Sequence, residues 1–595
     1  MIRLFNIDKW KENKNKWPKK GQWLAFLIAI SRTERIILFF LLILGLGAGV
    51  SWWRISYLEN TKVVPTKGGI LREVMVGQPQ SLNPLFALLN DADRDISELI
   101  FAGLLKYDQE GSLIKDLAKD YKISKDGKIY EFTLEDNLFW SDGEEITTQD
   151  IVFTIESVRN PEVQSPLRLI WQEVKVEKTD NKTIKFILPN PYPPFLENFT
   201  FKILPYHIFN KVSPQAFILE PPQNLTSSGQ FEIKVIEKDS ENKIRKIILE
   251  RNPNFHGKAS FLEKIEITFI PTTGDFPTWK NKALSFAGIS SEQKSIFKEN
   301  FNIYKLSVPR YFALFLNQNK SILSQKEVRE ALAFATPKNE IIEKILLGEA
   351  RIIDSPFLPE NRIEGDFKQY KFNLKKAQEI LEKAGWQDKD KDGIREKILK
   401  EGEKATPLKL ILFTVEQEEL KKAAEIIQAR WKEIGVKLVI RTLEPTKLLQ
   451  ENIKERKYDI LLFGQGLSII PDPYPFWSSF QKEYPGLNLS LYQNKDIDEL
   501  LKNSREELNS KKRRGLLQKA QQKITDDIPA IFLYSPYYLY AVRDEVKGID
   551  GKYIVDPSKR FINIENWYIY EKRVAREEKR CPSKILIFFP FRKKA

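Results

Sequence analysis

The 595-residue chain is poor in the side chains that most often carry metal and redox chemistry, with one cysteine, two histidines and two methionines. A single thiol at Cys581 cannot form an intramolecular disulfide, and His207 and His256 leave too few ligands for a zinc cluster. The sequence contains no glycine-rich phosphate loop and no G-x-S-x-G nucleophile motif. We therefore expect no cofactor, and any catalysis would have to use carboxylates, hydroxyls or lysine.

Positive charge is in excess, with 95 lysines and arginines against 81 acidic residues, but the excess lies at the two ends. Residues 1–35 and 571–595 each hold nine basic and three acidic side chains, so each end carries +6 of the total +14. Residues 36–570 are left with +2. They lack the domain-wide basic surface that phosphate contacts require, and we expect no nucleic-acid partner.

A run of eighteen uncharged residues, IILFFLLILGLGAGVSWW, extends from Ile36 to Trp53. As a helix it would be about 27 Å long, enough to cross the hydrocarbon core of a bilayer. The run has no polar face, and its tandem tryptophans stand at one end, where aromatic side chains favour the membrane interface. We predict a transmembrane signal anchor over 36–53 in preference to a buried core helix.

The flanking charges predict the orientation of this anchor. Nine basic residues precede the span, whereas only Arg54, Lys62 and Lys67 follow it closely. The positive-inside tendency then places residues 1–35 in the cytoplasm and the large domain outside, after a linker over 54–66. A cleaved signal peptide is the alternative, although neither an A-x-A-like site nor a lipid-accepting cysteine follows the run. The apolar stretches 23–30 and 585–591 are peripheral in this interpretation, the latter within a basic tail over 571–595.

The chain is too long for one hydrophobic core, since a single core stops growing near about 250 to 300 residues. A strand follows Gly68-Gly69, and period-two alternation predicts strands over 130–134, 184–188 and 265–269. The first half is therefore strand-rich.

Beyond residue 370, helical stripes alternate with strands. A helical stripe over 377–384 ends at Gly385, and a second over 420–434 ends at Gly435. Strands at 408–414, 436–440 and 458–463, with a short helix over 446–455, complete a predicted βαβαβ unit. The parallel sheet of such a unit binds ligands beyond the carboxyl ends of its strands, which here points just past Phe463.

Several segments in one order carry a resemblance to a known family. They are QPQSLNP at 78–84, LIFAGLLKYDQEGSLIKDLAKDYKISKDGKIYEFTL at 99–134, WSDGEEITTQDIVFTIE at 140–156, ILPYHIF at 203–209, NQNKSILSQKEVREALAFAT at 317–336, KAQEILEKAGWQDKDKDGI at 376–394 and PDP at 471–473. Over about residues 67–545 the chain resembles the family 5 solute-binding proteins of ABC importers, which include the oligopeptide- and dipeptide-binding proteins.

The resemblance implies an α/β fold of the two-lobed periplasmic-binding type, a class II or cluster C Venus flytrap, after the single transmembrane helix. Lobe I is expected over 67–306 and again over 531–570, and lobe II over 307–530. The two crossings between the lobes are expected as strands near 311–317 and 528–534.

The resemblance also assigns a ligand anchor. The family holds the free amine of a peptide with an aspartate on a loop of lobe II, and Asp472 stands at that place. A desolvated ammonium needs such a negative charge. The alternative is that Asp472 only caps a turn between two prolines. Gly466 and Ile469 stand where the family commonly has tryptophan and a second aspartate.

Further candidate ligand-binding residues, each with a packing or turn role as the alternative, are Tyr474, Phe476, Trp477, Ser228, Gly229, Phe231, Asn83 and Asn317. The aromatic residues after Asp472 would line apolar pockets of the cleft. The loop SSGQF at 227–231 is similar to a Gly-Ser/Thr-Gly-Pro-Phe/Tyr loop of the family, and its backbone N–H groups would hold an extended peptide.

A cluster of aspartates, Asp388, Asp390 and Asp392, followed by Gly393, is similar to the start of an EF-hand calcium loop. Position twelve of that pattern is Leu399 instead of the bidentate glutamate. We therefore predict an exposed turn and no metal site.

These observations favour a membrane-anchored receptor that captures extracellular peptides by hinge closure and delivers them to an ABC permease, without enzymatic activity. A non-peptide solute is an alternative ligand, because fold alone does not determine function. A cell-surface scaffold or chaperone is a further alternative. An envelope hydrolase is the weakest, since no nucleophile motif is present.

Overall fold

The computed structural model describes residues 31–218, 225–399, 401 and 404–576, which divide into two units. One unit comprises residues 31–66 and 571–576, and the other comprises residues 67–570. The apolar stretches 23–30 and 585–591, and most of the basic segments at both ends, lie outside the described residues.

The smaller unit consists of a long helix and a two-stranded ribbon. Helix α1 (Arg32–Asn60) begins at a capping box formed by Ser31 and Glu34, has no buried residue and contains the whole predicted membrane-spanning run. The predicted linker over 54–66 is wrong in detail, because no glycine or proline follows Val50 before the helix ends. The segment instead holds the last turns of α1 and the strand β1, which pairs with β22 at the start of the basic tail.

The strands, numbered along the described chain, are β1 (Thr61–Thr66), β2 (Ile70–Val76), β3 (Leu105–Tyr107), β4 (Leu113–Lys115), β5 (Ala118–Ile123), β6 (Ile129–Leu134), β7 (Lys175–Lys178), β8 (Thr183–Ile187), β9 (Phe231–Lys238), β10 (Ile244–Arg251), β11 (Lys264–Ile270), β12 (Ser285–Ile289), β13 (Phe301–Ser307), β14 (Arg310–Leu316), β15 (Ala350–Ile352), β16 (Glu396–Lys397), β17 (Thr406–Pro407), β18 (Lys409–Val415), β19 (Lys437–Leu443), β20 (Ile460–Gly466), β21 (Ala530–Arg543) and β22 (Tyr570–Ala575).

The helices of the larger unit are α2 (Asp91–Ile100), α3 (Thr148–Arg159), α4 (Arg168–Trp171), α5 (Tyr206–Phe209), α6 (Phe276–Trp279), α7 (Lys326–Phe334), α8 (Lys338–Lys344), α9 (Leu374–Lys383), α10 (Glu418–Lys432), α11 (Pro445–Lys447), α12 (Tyr474–Trp477), α13 (Lys495–Glu506) and α14 (Ser510–Asp527). A 3-10 segment, Pro193–Thr200, and a π-helical segment, Leu448–Ile453, also bear on the site.

The described part of the larger unit has two large hydrophobic cores, one in each lobe, and a smaller cluster around Phe286 and Phe297. Apolar residues from Leu71 to Val308, with others from Tyr540 to Trp567, form the core of lobe I, and residues from Tyr311 to Tyr534 form the core of lobe II. One sheet runs through both lobes in the order β19-β18-β20-β14-β21-β12-β2-β11-β10-β9. A second sheet, β5-β6-β8-β7, is antiparallel.

The long strand β21 belongs to both lobes. Its first part pairs antiparallel with β14, where Phe312 lies opposite Tyr534, and its second part pairs with β13, where Phe301 lies opposite Arg543. The return from lobe II to lobe I therefore takes place inside one continuous strand. The first crossing lies between β13 and β14, at Val308 and Pro309, because β14 itself pairs and packs only within lobe II and is not the crossing strand predicted over 311–317.

The predicted βαβαβ unit in lobe II is confirmed. Strand β18 pairs in parallel with both β19 and β20, and Leu412 lies opposite both Ile440 and Ile460. Helix α10 connects the first pair and buries the predicted stripe, ending near Gly435, whose φ of 80° suits a residue without a side chain. The carboxyl ends of these strands lie at one edge of the sheet, and the chain leaves β20 there.

Candidate functional site

The candidate site begins in the loop that leaves β20 at the carboxyl edge of the lobe II sheet. Leu467 donates its N–H to the carbonyl of Pro309, 2.7 Å away, which ties the start of the loop to the start of β14. Asn361 Nδ2 donates to the carbonyls of Ser468 and Ile469 at 3.3 and 3.2 Å. The loop is therefore fixed before it reaches the Pro-Asp-Pro sequence.

Asp472 is held in this loop with its side chain only 5% exposed. Its Oδ1 accepts the N–H of Tyr474 at 3.3 Å, so the turn-capping alternative is present in the structure. Its Oδ2 accepts the hydroxyl of Tyr192 at 2.6 Å, and Tyr192 belongs to lobe I. Asp472 thus lies where the two lobes touch, and it does more than cap a turn.

A guanidinium compensates the charge of Asp472. Nε of Arg505, in the last turn of α13, lies 3.1 Å from Oδ2 of Asp472 as an ion pair without hydrogen-bond alignment. The guanidinium carbon lies 4.8 Å from the ring centre of Tyr192 and 4.6 Å from that of Tyr474. Burial acts to lower the pKa of Arg505, but Asp472 and Tyr192 together outweigh it and leave that pKa raised.

Lobe I contributes a second group to this contact. Glu197, in the 3-10 segment that follows Tyr192, accepts the backbone N–H of Ile470 from the lobe II loop. Burial raises the pKa of Glu197 to about 7, against hydrogen bonds from Ile470, Ile469 and Tyr107 that act to lower it.

A second arginine of lobe II lies beside the same loop. Arg513, in the first turn of α14, donates from Nη2 to the carbonyl of Pro471. Burial lowers the pKa of Arg513 despite the attraction of Asp472, Tyr192 and Glu197.

The aromatic residues that follow Asp472 divide between the cleft and the core. The ring of Tyr474 lies under the Arg505 guanidinium, and Phe476 lines a small cavity with Asp472 and Phe357. Trp477 is 1% exposed, with its ring 5.7 Å from that of Phe532 in the core of lobe II. Tyr474 and Phe476 therefore lie at the candidate site, whereas the proposed cleft role of Trp477 is corrected to core packing.

Two N–H groups of the SSGQF loop are hydrogen-bonded within lobe I. The N–H groups of Ser228 and Gly229 both donate to the carbonyl of Ile100, at 3.0 and 2.9 Å. Ser228 Oγ accepts the N–H of Ala102 at 2.9 Å, and Phe231 is fully buried in the core of lobe I. The ligand-binding prediction for this loop is corrected to a structural role, because its donors are used within lobe I.

The side chains of the two asparagines predicted to bind ligand are hydrogen-bonded within the protein. Asn83 Oδ1 accepts the N–H of Leu85 at 3.0 Å, and its Nδ2 donates to the carbonyl of Phe217 at 3.1 Å. Asn317 Nδ2 donates to the carbonyl of Tyr458 at 2.8 Å, and its Oδ1 accepts the N–H of Asn319 at 3.0 Å. Both are buried and stabilise local backbone, so a ligand-binding role is not supported for either.

The aspartate cluster after α9 is exposed and bonded to its own turn. Gly393 donates its N–H to Asp388 at 3.0 Å, and Ile394 donates to Asp392 at 2.7 Å. The two histidines each contact a carboxylate of lobe I, His207 at 2.8 Å from Asp142 and His256 at 3.1 Å from Asp116.

Sequence reasoning missed the residues that surround Asp472. Tyr192, Glu197, Arg505 and Arg513 belong to no recognised motif and come from three separate elements. The one available signal was physical: a buried aspartate needs a counter-charge, although the sequence does not say which arginine supplies it.

Comparison with known proteins identifies the family. Residues 112–487 match the model of the bacterial extracellular solute-binding proteins, family 5. The chain belongs to this family. The family consists of two-lobed solute-binding proteins and not of enzymes, and a solute-binding function follows for this member.

Individual relatives span most of the chain. The oligopeptide-binding protein AppA of Bacillus subtilis is 26% identical over 527 residues, covering 85% of this chain and 92% of AppA. The solved structure of that protein with a nonapeptide superposes with a TM-score of 0.67 at 25% identity, covering 85% of this chain and all of the other. The nickel-binding periplasmic protein of Escherichia coli is 26% identical over 430 residues, covering 69% of this chain and 78% of that protein.

Proposed function

We propose that this chain is the extracytoplasmic peptide-binding component of an ABC importer, held at the plasma membrane by α1. The observation that carries the proposal is the contact between Tyr192 of lobe I and Asp472 of lobe II, at the edge of the sheet where ligands of such folds bind. Relatives that bind oligopeptides support peptides as the class of ligand.

The mechanism is closure of two lobes on a ligand. The chain crosses between the lobes at Val308 and Pro309 and again within β21, so a change of backbone conformation at these two places moves one core relative to the other. A peptide that contacts both lobes stabilises the closed arrangement by its greater affinity for it, and the permease recognises that arrangement. No covalent bond of the peptide is made or broken.

The test is native mass spectrometry of the full chain in lipid nanodiscs, followed by denaturing release and sequencing of bound molecules. We expect a ladder of short peptides. A single non-peptide mass would keep the transport role and change the cargo. An empty protein that shows no thermal shift with peptide pools would instead support a scaffold.

A non-peptide solute is the second candidate, and the charge compensation of Asp472 by Arg505 favours it, because the carboxylate already has a cationic partner. Thermal shifts of the purified chain, measured in parallel with a peptide pool and with a pool of anionic and uncharged small solutes, separate the two.

The proposed topology has the N-terminus in the cytoplasm and the lobes outside. Cys581 is the one cysteine of the chain and provides a native label. A membrane-impermeant maleimide should label Cys581 in intact cells. In a Cys581→Ser background, Ser31→Cys should react only after permeabilisation. The reverse pattern would overturn the proposed orientation.

A further inference from the structure

The carboxylate expected to receive a peptide ammonium is already partnered within the chain. Asp472 Oδ2 contacts both the hydroxyl of Tyr192, at 2.6 Å, and Nε of Arg505, at 3.1 Å, while Oδ1 accepts the N–H of Tyr474. A carboxylate offers about four acceptor positions, and hydrogen bonds from Tyr192 and Tyr474 use two of them. The single negative charge is balanced by one guanidinium before any ligand is considered.

Arg505 is held in this place by more than the ion pair. Its guanidinium lies between two aromatic rings, those of Tyr192 and Tyr474, at 4.8 and 4.6 Å. Cation–π contacts add to the attraction that holds the guanidinium. Its position in the last turn of α13 is also favourable, because cations are stabilised at the carboxyl end of a helix.

A second guanidinium makes the surroundings more positive. Arg513 is bonded to Pro471, the residue immediately before Asp472. Two arginines therefore face Asp472 and Glu197, and the latter carboxyl is buried and bonded to the N–H of Ile470. A ligand ammonium placed here would have to compete with both guanidiniums for these carboxyls, and like charges at an interface oppose binding.

The rest of the immediate surroundings is largely apolar. Phe357, Leu467, Pro473 and Phe476 line the small cavity beside Asp472. Asn361 and Ser468 line it as well, but Asn361 Nδ2 donates to the carbonyls of Ser468 and Ile469, so the lining beside Asp472 offers mainly apolar contacts.

Building on the proposed peptide-binding function, we propose that this end of the cleft receives a peptide terminus without an ammonium, as in an N-acylated or cyclised peptide, and that Arg505 sets this preference. The guanidinium occupies the position that the α-ammonium of a free peptide would otherwise take. Asp472 then serves to hold Arg505 and Tyr192 and does not anchor the ligand directly.

The experiment compares two synthetic nonapeptide pools of the same randomised sequences, one with free amino termini and one N-acetylated. Each competes for the full chain in nanodiscs, and bound peptides are quantified by mass spectrometry. We expect at least about tenfold enrichment of the acetylated pool, since about 1.4 kcal/mol of repulsion corresponds to that factor. Arg505→Gln should remove the preference, and Arg505→Lys, which keeps the charge, should retain it.

Arg514→Gln, at an exposed position on α14, is the matched control and should leave the preference unchanged. Thermal unfolding of each variant shows whether it is folded, and the comparison of pools on the unaltered chain needs no variant at all. Equal or tighter binding of free-amine peptides by that chain, lost with Asp472→Asn, would overturn the inference while peptide capture stands. Failure of both pools to bind would overturn the proposed function and the inference with it.

Discussion

The hydroxyl of Tyr192 in lobe I lies 2.6 Å from Oδ2 of Asp472 in lobe II, and this hydrogen bond joins the lobes at the candidate site. A hydrogen bond to a charged group contributes about 1.5 to 3 kcal/mol. Tyr192→Phe should therefore shift the equilibrium toward open lobes by about tenfold or more. Spin labels at Lys125→Cys and Lys511→Cys, in a Cys581→Ser background, would report this as longer interlobe distances.

The control for this substitution is Tyr206→Phe. Tyr206 is 38% exposed, and its ring packs on Phe153 within lobe I. The distribution of interlobe spin-label distances in Tyr206→Phe should match that of the unaltered chain. Identical distributions for Tyr192→Phe and the unaltered chain would show that the hydrogen bond does not hold the lobes together.

A second prediction concerns pH. Glu197 has an ordinary pKa of 4.5, and burial raises it to about 7 in the folded chain. The folded state therefore binds the proton more tightly than the unfolded state, and the stability that protonation provides is lost as the pH rises from about 4.5 to about 7. Thermal unfolding of Glu197→Gln should show a smaller loss of melting temperature than the unaltered chain across this window.

Two other buried carboxyls titrate in the same pH range as Glu197, because burial also raises the pKa of Asp93 and of Asp95 to about 6. Their contribution is common to both proteins and cancels in the difference. Glu110→Gln, on an exposed turn of lobe I, should follow the unaltered chain. Parallel pH profiles for Glu197→Gln and the unaltered chain would contradict the assignment.

The place of Asp472 could be predicted from sequence because it depends on local patterns. Helical and strand periods identified the βαβαβ unit, and the chain direction then put the loop after β20 at the ligand-binding edge. The apolar run of α1 was likewise visible, since membrane spans are recognised by composition and length.

The partners of Asp472 could not be predicted, because they depend on packing between distant elements. Tyr192 is 280 positions from Asp472 along the chain. The sequence does not indicate which of its many arginines lies beside the loop of Asp472. The error over the SSGQF loop has a similar cause. The pattern indicated a loop with N–H groups, but only the structure shows that the carbonyl of Ile100 accepts two of them.

The structural role of that loop predicts a stability effect at Gly229. A Cβ built there would lie 2.6 Å from the carbonyl oxygen of Leu99, which is backbone and cannot easily move. Gly229→Ala should therefore lower the free energy of unfolding by about 1 to 3 kcal/mol, as overpacking does. Urea unfolding would measure the change.

Gly515→Ala is the matched control, because nothing lies within 4 Å of a Cβ at this position in helix α14. Alanine in a helix interior is more favourable than glycine by about 0.5 to 1 kcal/mol, so this variant should gain stability. A loss of peptide affinity in Gly229→Ala without any change in unfolding would instead restore a ligand-binding role for the loop.

A buried charge cluster in lobe I gives the largest expected effect. Arg560 Nη2 lies 2.7 Å from Glu73 Oε1 and 2.6 Å from Asp95 Oδ2, and all three residues are buried. Arg560→Met would leave two buried carboxylates without a counter-charge, which costs about 3 to 5 kcal/mol. Urea unfolding should show this loss, and Glu73→Gln in the same background should recover part of it.

Lys175→Met, which breaks an exposed pair with Glu177, is the control and should change the free energy of unfolding little. An equally small effect of Arg560→Met would mean that the buried cluster contributes nothing to stability.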